Sequence, residues 1–154
     1  MNRRSAVVSL LAVWTVACTR TGSTTPATGK LVVVHKSEGC GCCKLWVSHL
    51  EQAGFTVQVI NEDNLAPIKE RVGVPYGMGS CHTGEVEGYF VEGHVPASDI
   101  ARLLRERPQA KGLTVPGMPA GSPGMEVASG RVDPYDVLLV AKDGSTSVFA
   151  HHGQ

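Results

Sequence analysis

Residues 31–35 (LVVVH) are followed within a few positions by three clustered cysteines, Cys40, Cys42 and Cys43, and then by an amphipathic run. A continuous β-branched segment suits a strand buried on both faces. Residues 36–41 read as a turn. From Cys43 onward, Cys43, Trp46, Leu50 and Ala53 recur at helical spacing, Lys44, Ser48, Glu51 and Gln52 fall elsewhere, and Gly54 stands where the helix would end. The cysteines are thus expected where a strand feeds a helix N-terminus. Free backbone N–H groups and the positive end of the helix dipole favour thiolate over thiol there. Ionised sulfur serves two chemistries equally well, disulfide exchange and the binding of a soft metal ion.

Further along, residues 55–60 (FTVQVI) alternate like a second strand, and a short helix over residues 67–72 closes at Gly73. After a loop at 73–79, residues 81–91 hold strand formers interrupted by Gly84 and Gly88, the pattern of a hairpin. Val95 and Pro96 introduce a helix with Ile100, Leu103 and Leu104 on one face, ending before Pro108. The order β, α, β, α, β, β, α predicts an α/β fold of thioredoxin-like type. Residues 111–130 (KGLTVPGMPAGSPGMEVASG) read as one long Gly/Pro/Met loop, either ordered for function or mobile. Residues 137–141 and 146–150 flank a Lys-Asp-Gly-Ser turn, giving a terminal β-hairpin.

With 154 residues, 42% of them hydrophobic and 18% charged, the chain is long enough for one ordinary core. The N-terminus carries Arg3 and Arg4, an apolar stretch over 6–17 and then Cys18, the layout of an export signal over 1–17. Ala17 before Cys18 also matches a bacterial lipoprotein signal, with Cys18 as the lipidated first residue of the mature chain and the membrane reached only through that anchor. Thr15 stands where that pattern has an aliphatic residue, so plain cleavage nearby is the alternative. Without the first seventeen residues, 12 basic residues face 14 acidic ones, which leaves no basic footprint for nucleic acid. Residues 18–29, rich in Ser, Thr, Pro and Gly, read as a flexible linker, and 30–150 as the folded, metal-binding domain.

Four cysteines, Cys40, Cys42, Cys43 and Cys81, belong to the folded part. Two disulfides are the ordinary expectation for an exported chain. The spacing fits that poorly, because adjacent Cys42 and Cys43 bridge each other only through a strained ring and just one of the cluster can pair with Cys81. A thioredoxin-type dithiol would use Cys40 and Cys43 and leave Cys42 without a task. His82 and His94 follow Cys81 closely, and Met118 and Met125 lie in the Gly/Pro-rich loop. Thiolate, imidazole and thioether together suit Cu(I), whereas zinc has little use for methionine. With four thiolates, bridging between several copper ions is more economical of ligands than one mononuclear site.

The motifs CGCCKLW, SCHTGEVEGYFVEGHVP, RLLRERP and GLTVPGMPAGSPGME, in that order over about residues 30–135, resemble the exported CopG-type copper-resistance family. The resemblance implies a thioredoxin-like domain in the periplasm whose cysteines, helped by a histidine and a methionine, hold a polynuclear Cu(I)/Cu(II) centre. It also implies a role in copper detoxification, through copper redox chemistry and in company with other periplasmic copper-handling proteins. Carried onto this chain, the ligands are Cys40, Cys42, Cys43, Cys81 and His94, with Met125 or Met118. A periplasmic thiol-disulfide oxidoreductase using Cys40 and Cys43 is the competing reading.

Ordinary roles compete at several of these positions. Cys43 lies on the apolar helix face and suits a structural thiol. His82 faces either the cluster or solvent, since adjacent strand residues point to opposite sides. His94 suits a helix entry, and Met78 is a reserve donor. His35 and His49 read as surface or packing residues, His151 and His152 as a disordered tail. Glu85, Glu87 and Glu92 have the spacing of a solvated strand face.

Overall fold

A computed structural model describes residues 29–153. The expected signal segment 1–17, Cys18 and nearly all of the 18–29 linker lie outside the described residues. Ten elements follow in order: β1 (Leu31–Lys36), α1 (Gly41–Gln52), β2 (Thr56–Asn61), α2 (Ala66–Val72), β3 (His82–Val86), β4 (Tyr89–Glu92), α3 (Ala97–Glu106), β5 (Ala110–Thr114), β6 (Tyr135–Ala141) and β7 (Thr146–His152). The strands form one sheet in the order β2-β1-β3-β4-β5-β6-β7. β1 runs parallel to β2 and antiparallel to β3, and β3 pairs antiparallel with β4. The α/β class and the β, α, β, α, β, β, α order are those expected, and β6 with β7 is the terminal hairpin.

Two expectations are corrected. Ala110–Thr114 is a strand, parallel to β4, so the Gly/Pro/Met loop begins only after it. Its first residues, with their glycine, carry little local strand signal, and the ladder to β4 decides their conformation. His151 and His152 belong to β7, where they meet Asp136 and Asp99 at 2.6 and 2.7 Å.

Alternation along β3 sorts the two faces of the sheet. Gly84 packs under Trp46 of α1, and the His82 ring lies tilted against the same indole with centroids 4.3 Å apart. Thr83 and Glu85 point the other way, where Lys69 and Arg71 of α2 meet them. The core lies on the α1 side, with Val32, Val34, Trp46, Leu50, Val91 and Ile100 all fully buried. Trp46 satisfies its indole N–H on the Val95 carbonyl at 2.9 Å, and His49 accepts the Ala97 N–H at 3.0 Å, docking α1 against the start of α3. Among the described residues no helix is long and apolar enough to cross a membrane.

Candidate metal centre

Cys40 is the N-cap of α1 in extended conformation, and its side chain makes no cap hydrogen bond. Sulfur is a poor acceptor, so the first-turn N–H groups are left for an anionic ligand or thiolate. Cys43, one turn into the helix, is fully buried and faces Cys40, and the two are joined as a disulfide. The expected ligands Cys40 and Cys43 are therefore bonded to each other in this state, because first-turn positions three apart share one side of the helix. Cys42 and Cys81 are free. Cys42 Sγ lies 3.5 Å from Cys40 Sγ and 3.7 Å from Cys81 Sγ. All four sulfurs lie within 4.8 Å of one another. Cys81 reaches them from the loop just before β3, the strand paired directly beside β1.

A second group of donors shares Cys81. Its sulfur lies 3.2 Å from His94 Nε2 and 3.3 Å from His82 Nδ1. His94 Nδ1–H donates to the Pro123 carbonyl at 2.8 Å, which fixes the ring so that the Nε2 lone pair faces the sulfurs. Both rings are fully buried and meet edge to face at 4.9 Å. His82 Nε2 has no hydrogen-bond partner among the described residues. Burial, reinforced by the neighbouring His94 and Lys69, pulls His82 down to about 3. Burial also lowers His94, against the pull of the Pro123 carbonyl and Glu126. Both are neutral imidazoles at neutral pH, the form that ligates metal. Burial and the neighbouring Cys42 push the Cys81 thiol up to about 11, so this sulfur is a protonated thiol at neutral pH.

The Gly/Pro/Met loop closes over this group. It is internally hydrogen-bonded, with Gly121 N–H to the Met125 carbonyl and Met125 N–H to the Ser122 carbonyl, both at 2.8 Å. Gly124 (φ +86°) presses on α1 so closely that a Cβ there would stand 2.7 Å from the Cys42 carbonyl and 2.8 Å from the Trp46 nitrogen. Met125, next in sequence, is half-buried, whereas Met118 is exposed.

Two solved structures are similar to this chain. One, a copper resistance protein CopG in form 1, is 50% identical over 82% of this chain and 99% of its own, with a TM-score of 0.77. The second, the same protein in form 2, is 51% identical over 80% of this chain and 98% of its own, also at 0.77. This chain belongs to the CopG copper-resistance family. The model of a family described as protein of unknown function, DUF411, matches residues 78–125, a span that holds Cys81, His82, His94 and both loop methionines. No curated protein matches the chain. For a CopG-family chain the donor set fits a soft metal, because cysteine sulfurs and neutral imidazoles, one with an unpartnered buried nitrogen, converge in groups that no carboxylate joins among the described residues. The expected residues that come together are Cys40, Cys42, Cys43, Cys81 and His94. His82 joins them and was left open by the sequence, because Cys81 precedes the regular strand and strict alternation does not begin until His82.

Proposed function

We propose that this chain is an exported copper-binding protein of copper resistance. In this reading Cys40, Cys42, Cys43 and Cys81, with His94, His82 and Met125, hold a sulfur-bridged group of copper ions. The observation that carries it is the convergence of four sulfurs within 4.8 Å on a chain half identical to a copper resistance protein. A dithiol reductant opens Cys40–Cys43 by exchange, two electrons and two protons converting the disulfide to two thiols while the donor takes up the disulfide. All four cysteines are then available as donors, and each thiolate has lone pairs enough for more than one metal ion. Ligation replaces the protons on these thiols, so loading releases protons. Bound copper supplies a one-electron Cu(I)/Cu(II) couple. The chain's own part is to hold soft donors for one oxidation state and imidazoles for the other, and to exclude water by burying both histidines. Export through the N-terminal segment, with Cys18 as a lipid anchor, places this activity in the periplasm beside other copper-handling proteins.

Copper analysis of the anaerobic, reduced protein together with X-ray absorption at the copper edge tests the proposal. Several copper ions per chain, sulfur ligation and a short copper–copper distance are expected. Finding no copper, or only zinc retained in competition with Cu(I), overturns it. The disulfide between Cys40 and Cys43 favours a second reading, thiol-disulfide exchange. That reading requires turnover of a disulfide substrate that is lost in Cys40→Ser and indifferent to Cys42→Ser and Met125→Leu.

A further inference from the structure

Glu92, whose spacing assigned it to a solvated face, is fully buried. It ends β4 on the α2 side of the sheet, directly opposite Thr83 of β3. One carboxylate oxygen accepts the Lys69 ammonium and, at 2.5 Å, the backbone N–H of Ser80, and the other accepts the Thr83 hydroxyl at 2.6 Å. Lys69 also donates to the Thr83 oxygen at 3.0 Å, which closes the network. A buried ion pair of this kind contributes little net stability compared with apolar side chains of the same volume, so its presence calls for another role.

That role is visible in what the carboxylate joins. Ser80 immediately precedes Cys81, and its hydroxyl donates onward to the Gly117 carbonyl at 2.5 Å. Glu92 stands two residues before His94. Between them Gly93 (φ +74°) passes so close to Ser80 that a Cβ would stand 2.7 Å from the serine Cβ, and its N–H donates to the His82 carbonyl at 3.1 Å. A single carboxylate therefore holds the segment that delivers Cys81 against the segment that delivers His94, from the face of the sheet opposite the sulfurs.

We propose that Glu92, paired with Lys69, is a positioning residue of the metal centre, fixing Ser80 and thereby the approach of Cys81 to His94 and Cys42. This rests on the reading of Cys81 and His94 as donors, and its test includes a measurement on metal-free protein. Iodoacetamide alkylation of Cys81, resolved from Cys42 by peptide mass, is expected to be about tenfold faster in Glu92→Leu than in the wild type. Affinity for Cu(I) falls about 10–100-fold, the usual effect of losing a group that orients a ligand. Glu92→Gln, which keeps an oxygen for the Ser80 N–H, restores alkylation to near the wild-type rate. Val137→Ala, a core change on β6, lowers the melting temperature and alters neither readout. If Glu92→Leu alone does not fold, Lys69→Met/Glu92→Leu removes the stranded ammonium and carries the same expectations. Wild-type alkylation and affinity in the leucine variant, or equal changes in Val137→Ala, overturn the proposal. Should the wild type bind no copper, the proposed function fails, and the alkylation rates still decide the role of Glu92.

Discussion

The two faces of β3 hold their polar groups by opposite means. On the α2 face the side chains of β3 and its neighbours meet charged partners: Arg71 grips Glu85 through two hydrogen bonds, His35 lies between Glu62 and Glu85 at 3.0 and 3.2 Å, and Lys69 holds Glu92. On the α1 face the donors are cysteine sulfurs and neutral imidazoles, packed by Trp46 and the overlying loop, with the His82 Nε2 left unpartnered among the described residues. Hard charge can satisfy itself within the protein. Soft donors packed this way are held by shape, and their unused lone pairs are what a metal site needs.

Breaking the shape should have the largest effect. Gly124→Ala sets a Cβ against the α1 backbone in a left-handed conformation, and a loss of about 2–4 kcal/mol is expected from chemical denaturation. A loss well below 1 kcal/mol would show that the loop is not held by this close approach. His82→Phe should act in the opposite direction, stabilising the metal-free protein by about 1–2 kcal/mol because the orphaned nitrogen disappears, while copper affinity drops. A destabilised phenylalanine variant would mean that the nitrogen is not the source of cost. The smallest effect belongs to the exposed pair on the other face. Its Arg71 hydrogen bonds hold the Glu85 carboxyl below its usual value of 4.5 against the opposing effect of burial. The resulting stability is present above pH 4.5 and lost as pH falls through the lower folded value. Arg71→Ala should therefore flatten the acid limb of the stability curve, and an unchanged limb would show that the pair contributes nothing measurable.

Local pattern made much of this molecule legible. The LVVVH run became β1, the periodicity from Cys43 became the buried stripe of α1, and Gly73 closes α2 where expected. The helix begins earlier than the apolar spacing suggested, at Gly41, because its first residues have no apolar face to announce them. Non-local pairing hid the rest. β5 depends on its ladder to β4, and Glu92 looked solvated because alternation predicts which residues share a face and not what covers that face. His151 and His152 looked like a tail because Asp136 and Asp99, their partners, lie far away in sequence.

For the centre itself, the sequence by itself determined the chemistry: soft donors in excess of what a dithiol uses, three of them at a helix N-terminus, with histidines and methionines following in order. Tertiary structure decided which donors meet. Pairing of β3 beside β1 carries Cys81 across 38 residues to Cys43, the loop orients His94 through Pro123, and burial leaves His82 with a free nitrogen. The division has a physical cause. Ligand type is a property of each side chain, whereas a coordination site is a set of distances, and those exist only once the chain has closed on itself.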